Sequence, residues 1–222
     1  MNKVFLDTNV LISWVFIINS LHFKSEKVFE AYSEFFWSTF VKKEFDASYG
    51  DKLDCLLDFF RKLQKYLENP EKEFYSIGDL LKFAKENYSG ELLRNIKSSI
   101  FPFWNEYLGF ESQIFFLDME KSIEYCLNDL SLNLESNKLK LEKLMQLSPI
   151  RKKNYHNLDA MLESYGVHDE DRIVTLDGHD FACFSSEPVD FVTFDDNCFN
   201  GANNLDVLCF NSIKGKYDFK AS

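Results

Sequence analysis

The sequence predicts an α/β fold in which a parallel sheet is interrupted by a large α-helical segment. Two observations support this prediction. Short apolar runs rich in strand-forming residues stand near both ends of the 222-residue chain, and each is accompanied by a stretch of helical periodicity. Between them, residues 51–155 carry leucines and aromatic residues three and four positions apart, which is the spacing of amphipathic helices.

The N-terminal segment is predicted to form two strand–helix units. Residues 3–6 form an apolar run that predicts a strand ending at Asp7, and residues 10–19 predict the helix that follows. A second aromatic and β-branched run at residues 35–41 predicts another strand. Glu44 is then expected in the first turn of a long helix.

The C-terminal segment repeats this alternation. Residues 171–184 are predicted to be helical, whereas residues 190–194 (DFVTF) and 206–210 (DVLCF) predict buried strands. Strands that alternate with helices are typical of a parallel sheet.

The long middle segment defines the predicted domain organisation. Connections in α/β units usually take ~2 to 6 residues, so a segment of this length is expected to be an inserted subdomain. We therefore predict a discontinuous α/β domain at residues 1–50 and 156–222, with a helical insert at residues 51–155.

Composition and charge limit the classes of function. A hydrophobic fraction of 45% with only 8 Gly and 4 Pro excludes a disordered or collagen-like chain. The 25 basic and 36 acidic residues give a net charge of −11, so a nucleic-acid partner would have to be bound by local basic patches or metal ions. The five cysteines are widely spaced without a CxxC pair, so we expect neither a disulfide framework nor a zinc cluster. Together with the lack of a ~20-residue apolar window, this predicts a soluble cytoplasmic protein without a membrane partner.

Acidic side chains follow the predicted strands. Asp7 follows the first strand, Glu44 the second, and Asp195 and Asp196 follow residues 190–194, while residues 169–171 begin the preceding helix with three acids. Side chains beyond the carboxyl ends of parallel strands converge in one crevice. Carboxylates brought together there would repel one another unless a divalent cation compensates them, and carboxylate oxygens suit Mg²⁺ or Mn²⁺.

Each of these acids alone also has a structural interpretation. Asp7 could cap the next helix, Glu44 could interact with a helix dipole, and the acids at 169–171 could form a solvated helix start. Asp195 and Asp196 could be turn residues. Only their joint placement favours a metal site.

Four segments resemble the motifs of PIN-domain nucleases. VFLDTNVLI at residues 4–12 is similar to the opening strand of the family, and STFVKKEF at residues 38–45 is similar to its second motif. HDEDRIV at residues 168–174 resembles the third motif, and FVTFDDNCF at residues 191–199 resembles the last. The resemblance covers roughly half of the chain.

The resemblance implies a metal-dependent endonuclease, most often acting on RNA, with a PIN-like parallel sheet. It implies that Mg²⁺ or Mn²⁺ is bound by four catalytic acids, which are Asp7, Glu44, Asp171 and Asp195. It leaves the third acid open, and the residues expected to orient the acids or to substitute for one of them are Asn9, Thr193, Asp169, Glu170 and Asp196. The family includes toxins of toxin–antitoxin pairs and RNA-processing enzymes, so an antitoxin protein and a homodimer are the expected partners.

A basic cluster near the end of the insert is the expected RNA-binding surface. Its members are Lys138, Lys140, Lys143, Arg151, Lys152 and Lys153. The alternative is that its first three lysines form the solvated face of an amphipathic helix.

Three other functions are alternatives to an RNase. A phosphatase forming an aspartyl-phosphate would need a second acid two residues after Asp7, where Asn9 stands. A structure-specific DNA nuclease would be expected to carry more acids. A catalytically silent PIN-like scaffold that binds nucleic acid or protein is the main alternative, although all four acids are present.

Overall fold

The computed structural model describes residues 2–68, 76–108 and 116–220. These residues contain five strands, which are Lys3–Leu6 (β1), Glu34–Trp37 (β2), Met145–Leu147 (β3), Val189–Val192 (β4) and Ile213–Lys214 (β5). Their helices are Thr8–Val15 (α1), His22–Ala31 (α2), Thr39–Leu67 (α3), Ile77–Asn87 (α4), Gly90–Leu108 (α5), Phe116–Leu144 (α6), His156–Ser164 (α7), Asp169–Phe184 (α8) and Asp196–Asn203 (α9).

The five strands form one parallel sheet in the order β3-β2-β1-β4-β5. Phe5 in the central strand pairs with Phe36 of β2 and with Phe191 of β4. Val4, Phe5 and Leu6 have no exposed surface, as expected for a strand covered on both faces. The predicted α/β class with a parallel sheet is confirmed.

The second strand is shorter than the sequence predicts. The strand β2 ends at Trp37, and the predicted strand residues 39–41 form the beginning of α3. The Ser38 hydroxyl accepts a hydrogen bond from the Val41 backbone N–H at 3.2 Å, which is an N-cap contact. Glu44 therefore lies in the second turn of α3 rather than in the first.

The predicted strand at residues 206–210 is wrong. The Leu208 N–H donates to the Leu205 carbonyl in a turn, at 3.1 Å, and the Leu208 side chain packs in a cluster with Leu162 and Leu176. The strand that pairs with β4 is β5, which begins three residues after the end of this run. Within this run Leu208 is buried and Phe210 packs against the same cluster, whereas Val207 is 59% exposed.

The chain divides into two compact units. The α/β unit consists of Met1–Trp14, Phe23–Ala47 and Lys140–Ser222, and the helical unit consists of Val15–His22 and Ser48–Leu139. The predicted helical insert at residues 51–155 thus includes β3, which belongs to the sheet.

The core of the helical unit is built from aromatic side chains. Phe59 and Phe60 of α3 have almost no exposed surface. The Phe60 ring lies 4.8 Å from the Phe103 ring, centroid to centroid, and the Phe59 ring lies 6.0 Å from Phe83. These contacts explain the helical spacing of the aromatic residues in this segment.

Cys183 at the end of α8 and Cys209 form a disulfide, so the expectation that the cysteines remain unpaired is wrong for these two. The two residues are 26 positions apart in sequence, and the fold of the α/β unit brings them together. Cys55, Cys126 and Cys198 are buried free thiols. Across the described ranges, no helix combines the length and apolar character needed to cross a membrane.

Candidate functional site

Asp7 is the most deeply buried acid at the carboxyl edge of the sheet. It directly follows β1 and is 2% exposed. One carboxylate oxygen accepts a hydrogen bond from the Thr8 backbone N–H at 2.7 Å, and the other accepts one from the Thr193 hydroxyl at 2.6 Å. Asp7 therefore has a fixed orientation, held by residues that follow two neighbouring strands.

Glu44 reaches the same edge from α3. Its carboxylate accepts a hydrogen bond from the Thr8 hydroxyl at 2.6 Å. Thr8 thus contacts Asp7 through its backbone and Glu44 through its side chain. The sequence alone assigned Thr8 no role, because a hydroxyl next to an acid carries no signal of its own.

Asp171 is the acid of the third segment that lies beside Asp7. Ligand atoms of Asp7, Asp171 and Cys198 all lie within 4.8 Å of one another. Asp169 is directed elsewhere, because its carboxylate pairs with Arg172 at 3.0 Å and its side chain is 89% exposed. Glu170 is exposed, and its charge raises the pKa of Glu44 and of Asp171.

The last motif places Asp195 at the N-cap of α9. Its carboxylate accepts a hydrogen bond from the Cys198 N–H at 2.8 Å, and its own N–H donates to the Thr193 hydroxyl at 3.1 Å. The Asn9 carboxamide oxygen accepts from the Phe194 N–H at 2.9 Å. Asn9 and Thr193 therefore connect the turn after β1 with the turn after β4.

Asp196 does not join this cluster. Its carboxylate forms an ion pair with Lys216 at 2.6 Å, and its side chain is 53% exposed. The structure thus separates the two consecutive acids, since Asp195 caps α9 and Asp196 contacts a lysine near the C-terminus of the described chain.

The electrostatics of the cluster favour protonation. Burial raises the pKa of Asp7 to about 7, and the charges of Asp171 and Glu44 add to this while the Thr193 hydrogen bond opposes it. Burial likewise raises the pKa of Asp171 to about 6, with contributions from Asp195 and Glu44, and burial raises the pKa of Glu44. In the described part of the chain, no lysine or arginine forms an ion pair with any of these acids.

The donor set of the cluster fits a hard divalent cation. Asp7, Glu44, Asp171 and Asp195 offer carboxylate oxygens, which are the ligands that Mg²⁺ and Mn²⁺ prefer. Burial raises the pKa of the Cys198 thiol well above its ordinary value, so the sulfur stays protonated and is a poor ligand for a soft metal. A cation bound there would stabilise the charged carboxylates against the burial and mutual repulsion that raise their pKa values.

Cys198 and Thr175 are buried beside the cluster and were missed by the sequence analysis. The Thr175 hydroxyl donates to the Asp171 carbonyl at 2.8 Å and lies 3.5 Å from the Cys198 sulfur. The available signal was periodicity, since Thr175 lies one helical turn after Asp171 and Cys198 three residues after Asp195.

The members of the predicted basic cluster have different local surroundings. Lys138 belongs to the helical unit, where its ammonium lies 4.7 Å from the Tyr49 ring centroid. Lys140 and Lys143 are exposed on the last turns of α6. Three further members follow β3, and their surroundings differ: Lys152 and Lys153 lie over the Phe184 ring, whereas Arg151 lines a cavity.

A scan against protein-family models, a search of curated proteins and a search of solved structures each find no match to this chain. The resemblance to PIN-domain nucleases therefore depends on the four sequence motifs, and the PIN-like version of the α/β fold stays a prediction.

Proposed function

We propose that this protein is a divalent-metal-dependent endoribonuclease with a PIN-like α/β unit. Asp7, Glu44, Asp171 and Asp195 would hold Mg²⁺ or Mn²⁺ and form the catalytic centre. The observation that carries the proposal is the position of Asp7 and Asp171, with ligand atoms within 4.8 Å, raised pKa values and no basic ion-pair partner among the described residues. Such an arrangement is costly to a fold unless a cation is bound.

The chain contributes rigidity and orientation to this chemistry. A bound Mg²⁺ or Mn²⁺ supplies Lewis-acid polarisation of a phosphodiester and activation of an attacking water. The Thr193 hydroxyl fixes Asp7 and the Asp195 backbone, and the Thr8 hydroxyl fixes Glu44. Because these contacts come from turns after two adjacent strands, the ligand oxygens are preorganised before substrate binds.

The biological setting is part of the same proposal. An RNA substrate, an antitoxin protein, a homodimer and a cytoplasmic location follow from the family resemblance and from the sequence composition. A catalytically silent scaffold is the alternative, and it predicts RNA or protein binding without any dependence on metal.

The decisive experiment is cleavage of an end-labelled total-RNA pool with Mn²⁺ or Mg²⁺, with and without EDTA. We expect cleavage by the wild-type protein only with metal, and none by Asp7→Asn. Asp51→Asn removes an exposed carboxylate from α3 and is the matched control, which should cleave like the wild type. Cleavage that persists in EDTA or in Asp7→Asn would contradict the proposal.

Metal binding can be followed separately from cleavage. We expect Mn²⁺ to raise the melting temperature of the wild-type protein and of Asp51→Asn, but to have a much smaller effect on Asp7→Asn. A melting temperature that does not respond to Mn²⁺ or Mg²⁺ in the wild-type protein would favour the scaffold.

A further inference from the structure

A second recess lies in the α/β unit at the carboxyl ends of β2 and β3. Its volume is about 370 Å³, within the range of small-ligand sites in proteins. It is lined by the beginning of α3, by the segment after β3 and by Asp177 of α8. Asp177 lies six residues after Asp171 on the same helix.

Arg151 lines this recess and is incompletely paired. The Arg151 Nε atom lies 3.6 Å from an Asp177 carboxylate oxygen, and the Ser38 hydroxyl also donates a hydrogen bond to Asp177. The Arg151 Nη1 atom is buried and has no hydrogen-bond partner among the described residues. A buried donor without an acceptor is costly, and an acceptor from a ligand would satisfy it.

Two of the residues that line the recess favour the binding of an anion. Lys43 and Thr39 line it, and Thr39 is the first residue of the 29-residue helix α3. The N-terminus of a helix carries a partial positive charge, and no acid forms an ion pair with Lys43 in the part of the chain that the structure describes. A phosphate group could therefore be bound between the helix start and the Lys43 ammonium.

Three apolar side chains give another part of the recess lining a hydrophobic surface. Phe40, Pro149 and Ile150 also line the recess, and Ile150 is 85% exposed. A flat unpaired base would cover this surface, while Asp177 and the Asn154 carboxamide offer acceptors and donors for its polar edge. Stacking on apolar and aromatic side chains is a usual way of binding unpaired bases.

The recess and the acidic cluster are neighbours within the α/β unit. Ser38 follows β2 and Asp7 follows β1, and these strands are adjacent in the sheet. On α3, Lys43 lines the recess while the next residue, Glu44, contacts Thr8 of the cluster. An RNA strand bound at the cluster would therefore lie near the recess.

We propose that this recess binds one unpaired nucleotide of a single-stranded RNA next to the bond that is cleaved, with Lys43 on the phosphate and Arg151 and Asp177 on the base. The proposal depends on the proposed function for the identity of the strand. It assigns the recess to substrate positioning, and it leaves the metal ligands unchanged.

The test is binding of a fluorescein-labelled single-stranded RNA 12-mer of mixed sequence in EDTA, measured by fluorescence anisotropy. We expect Lys43→Ala and Arg151→Ala each to weaken binding about tenfold, the size of one lost stacking or charged contact. Arg61→Ala and Lys121→Ala remove the same charges from exposed positions on α3 and α6, and they should bind like the wild type. Lys43 is exposed, so its variant is expected to fold, and melting temperatures check all four proteins.

Competition distinguishes a nucleotide from a simple anion. The four nucleoside 5′-monophosphates are titrated against the bound RNA, with inorganic phosphate as the comparison. We expect at least one monophosphate to displace the RNA at a concentration about tenfold lower than inorganic phosphate, and Asp177→Asn to change which one competes best.

Several outcomes would overturn the proposal. These are an undetectable affinity of the wild-type protein for the RNA, equal affinities of the recess variants and their controls, and equal competition by phosphate and by all four monophosphates. Because binding is measured in EDTA, these results are independent of the cleavage assay. If the binding predictions fail while cleavage still depends on Asp7, only the proposal for the recess is wrong. If the binding predictions hold and cleavage does not depend on Asp7, only the proposed function is wrong.

Discussion

At the residue scale, the site depends on hydroxyl groups as much as on carboxylates. Thr193 has no exposed surface, and its single hydroxyl donates to Asp7 while accepting from the Asp195 N–H. Thr8 links Asp7 to Glu44 in the same way. These hydrogen bonds orient the carboxylates and favour their charged form, so they oppose the rise in pKa that burial causes.

The burial of Asp7 predicts an unusual pH dependence of stability when metal is absent. The pKa of Asp7 is about 7 in the folded protein, against 3.8 as the ordinary value expected in the unfolded chain. Between these values the folded state binds more protons than the unfolded state, so the free energy of unfolding falls as the pH rises from about 4 to about 7. The loss attributable to Asp7 is on the order of 3 kcal/mol.

Urea denaturation in EDTA at pH 4.5 and at pH 8 measures this loss. We expect Asp7→Asn to be less sensitive than the wild type to this change of pH, because the amide cannot ionise, and to be the more stable of the two at pH 8. Asp51→Asn should retain the wild-type sensitivity. A pH dependence that is the same in all three proteins would show that Asp7 is ionised in the metal-free fold.

At the element scale, Asp195 is the N-cap of α9, and this structural role can be tested apart from its proposed role as a metal ligand. Asn and Asp are nearly equivalent N-caps, whereas Ala caps poorly and costs about 1 kcal/mol. We therefore expect Asp195→Asn to retain metal-free stability but to lose metal-dependent cleavage. Asp195→Ala should lose cleavage and also about 1 kcal/mol of the free energy of unfolding. If Asp195→Asn cleaved RNA at the wild-type rate, Asp195 would be a cap and not a ligand.

The close packing of α9 predicts that a larger side chain at Gly201 destabilises the fold. A Cβ atom added at Gly201 would overlap a methyl group of Val167, which is itself buried, whereas one added at Gly50 in α3 would meet nothing within 4 Å. We expect Gly201→Ala to lower the free energy of unfolding by about 1 to 3 kcal/mol. Gly50→Ala should raise it by about 0.5 to 1 kcal/mol, because alanine favours the helix. Chemical denaturation of both variants checks the pair, and a neutral Gly201→Ala would argue against this packing.

The element scale also shows which parts of the fold could be predicted. The apolar patterns of β1 and α8 predict both elements. The position of Asp7 at a strand end could also be predicted, because Asp7 directly follows the apolar run of β1. The strand predicted at 206–210 is absent because Leu208 is buried in a side-chain cluster rather than by strand pairing, and Val207 is exposed. The short strand β5 contains only Ile213 and Lys214, so it carries too little pattern to be recognised.

At the scale of the whole molecule, contacts between distant segments account for what the sequence did not reveal. The acids could be predicted to converge because a parallel sheet brings all of its strand ends to one edge. The recess could not, since its lining depends on which way Arg151 and Asp177 point after folding. The disulfide was missed for the same reason, because spacing in sequence says nothing about the distance between Cys183 and Cys209 in the fold.

The disulfide predicts a stability that depends on redox conditions. A crosslink closing a loop of this size removes conformational freedom from the unfolded chain and stabilises a fold by about 3.5 kcal/mol in the chain-entropy model. We expect Cys183→Ser to lower the free energy of unfolding by roughly this amount under oxidising conditions, and reduced wild-type protein to match the variant. Cys55→Ser changes a thiol without a disulfide partner and keeps the crosslink, so reductant should lower its stability by as much as it lowers that of the wild type. If reductant left the wild-type protein unchanged while thiol titration showed the bond to be open, the crosslink would contribute nothing, and the protein would be equally stable in a reducing compartment such as the predicted cytoplasm.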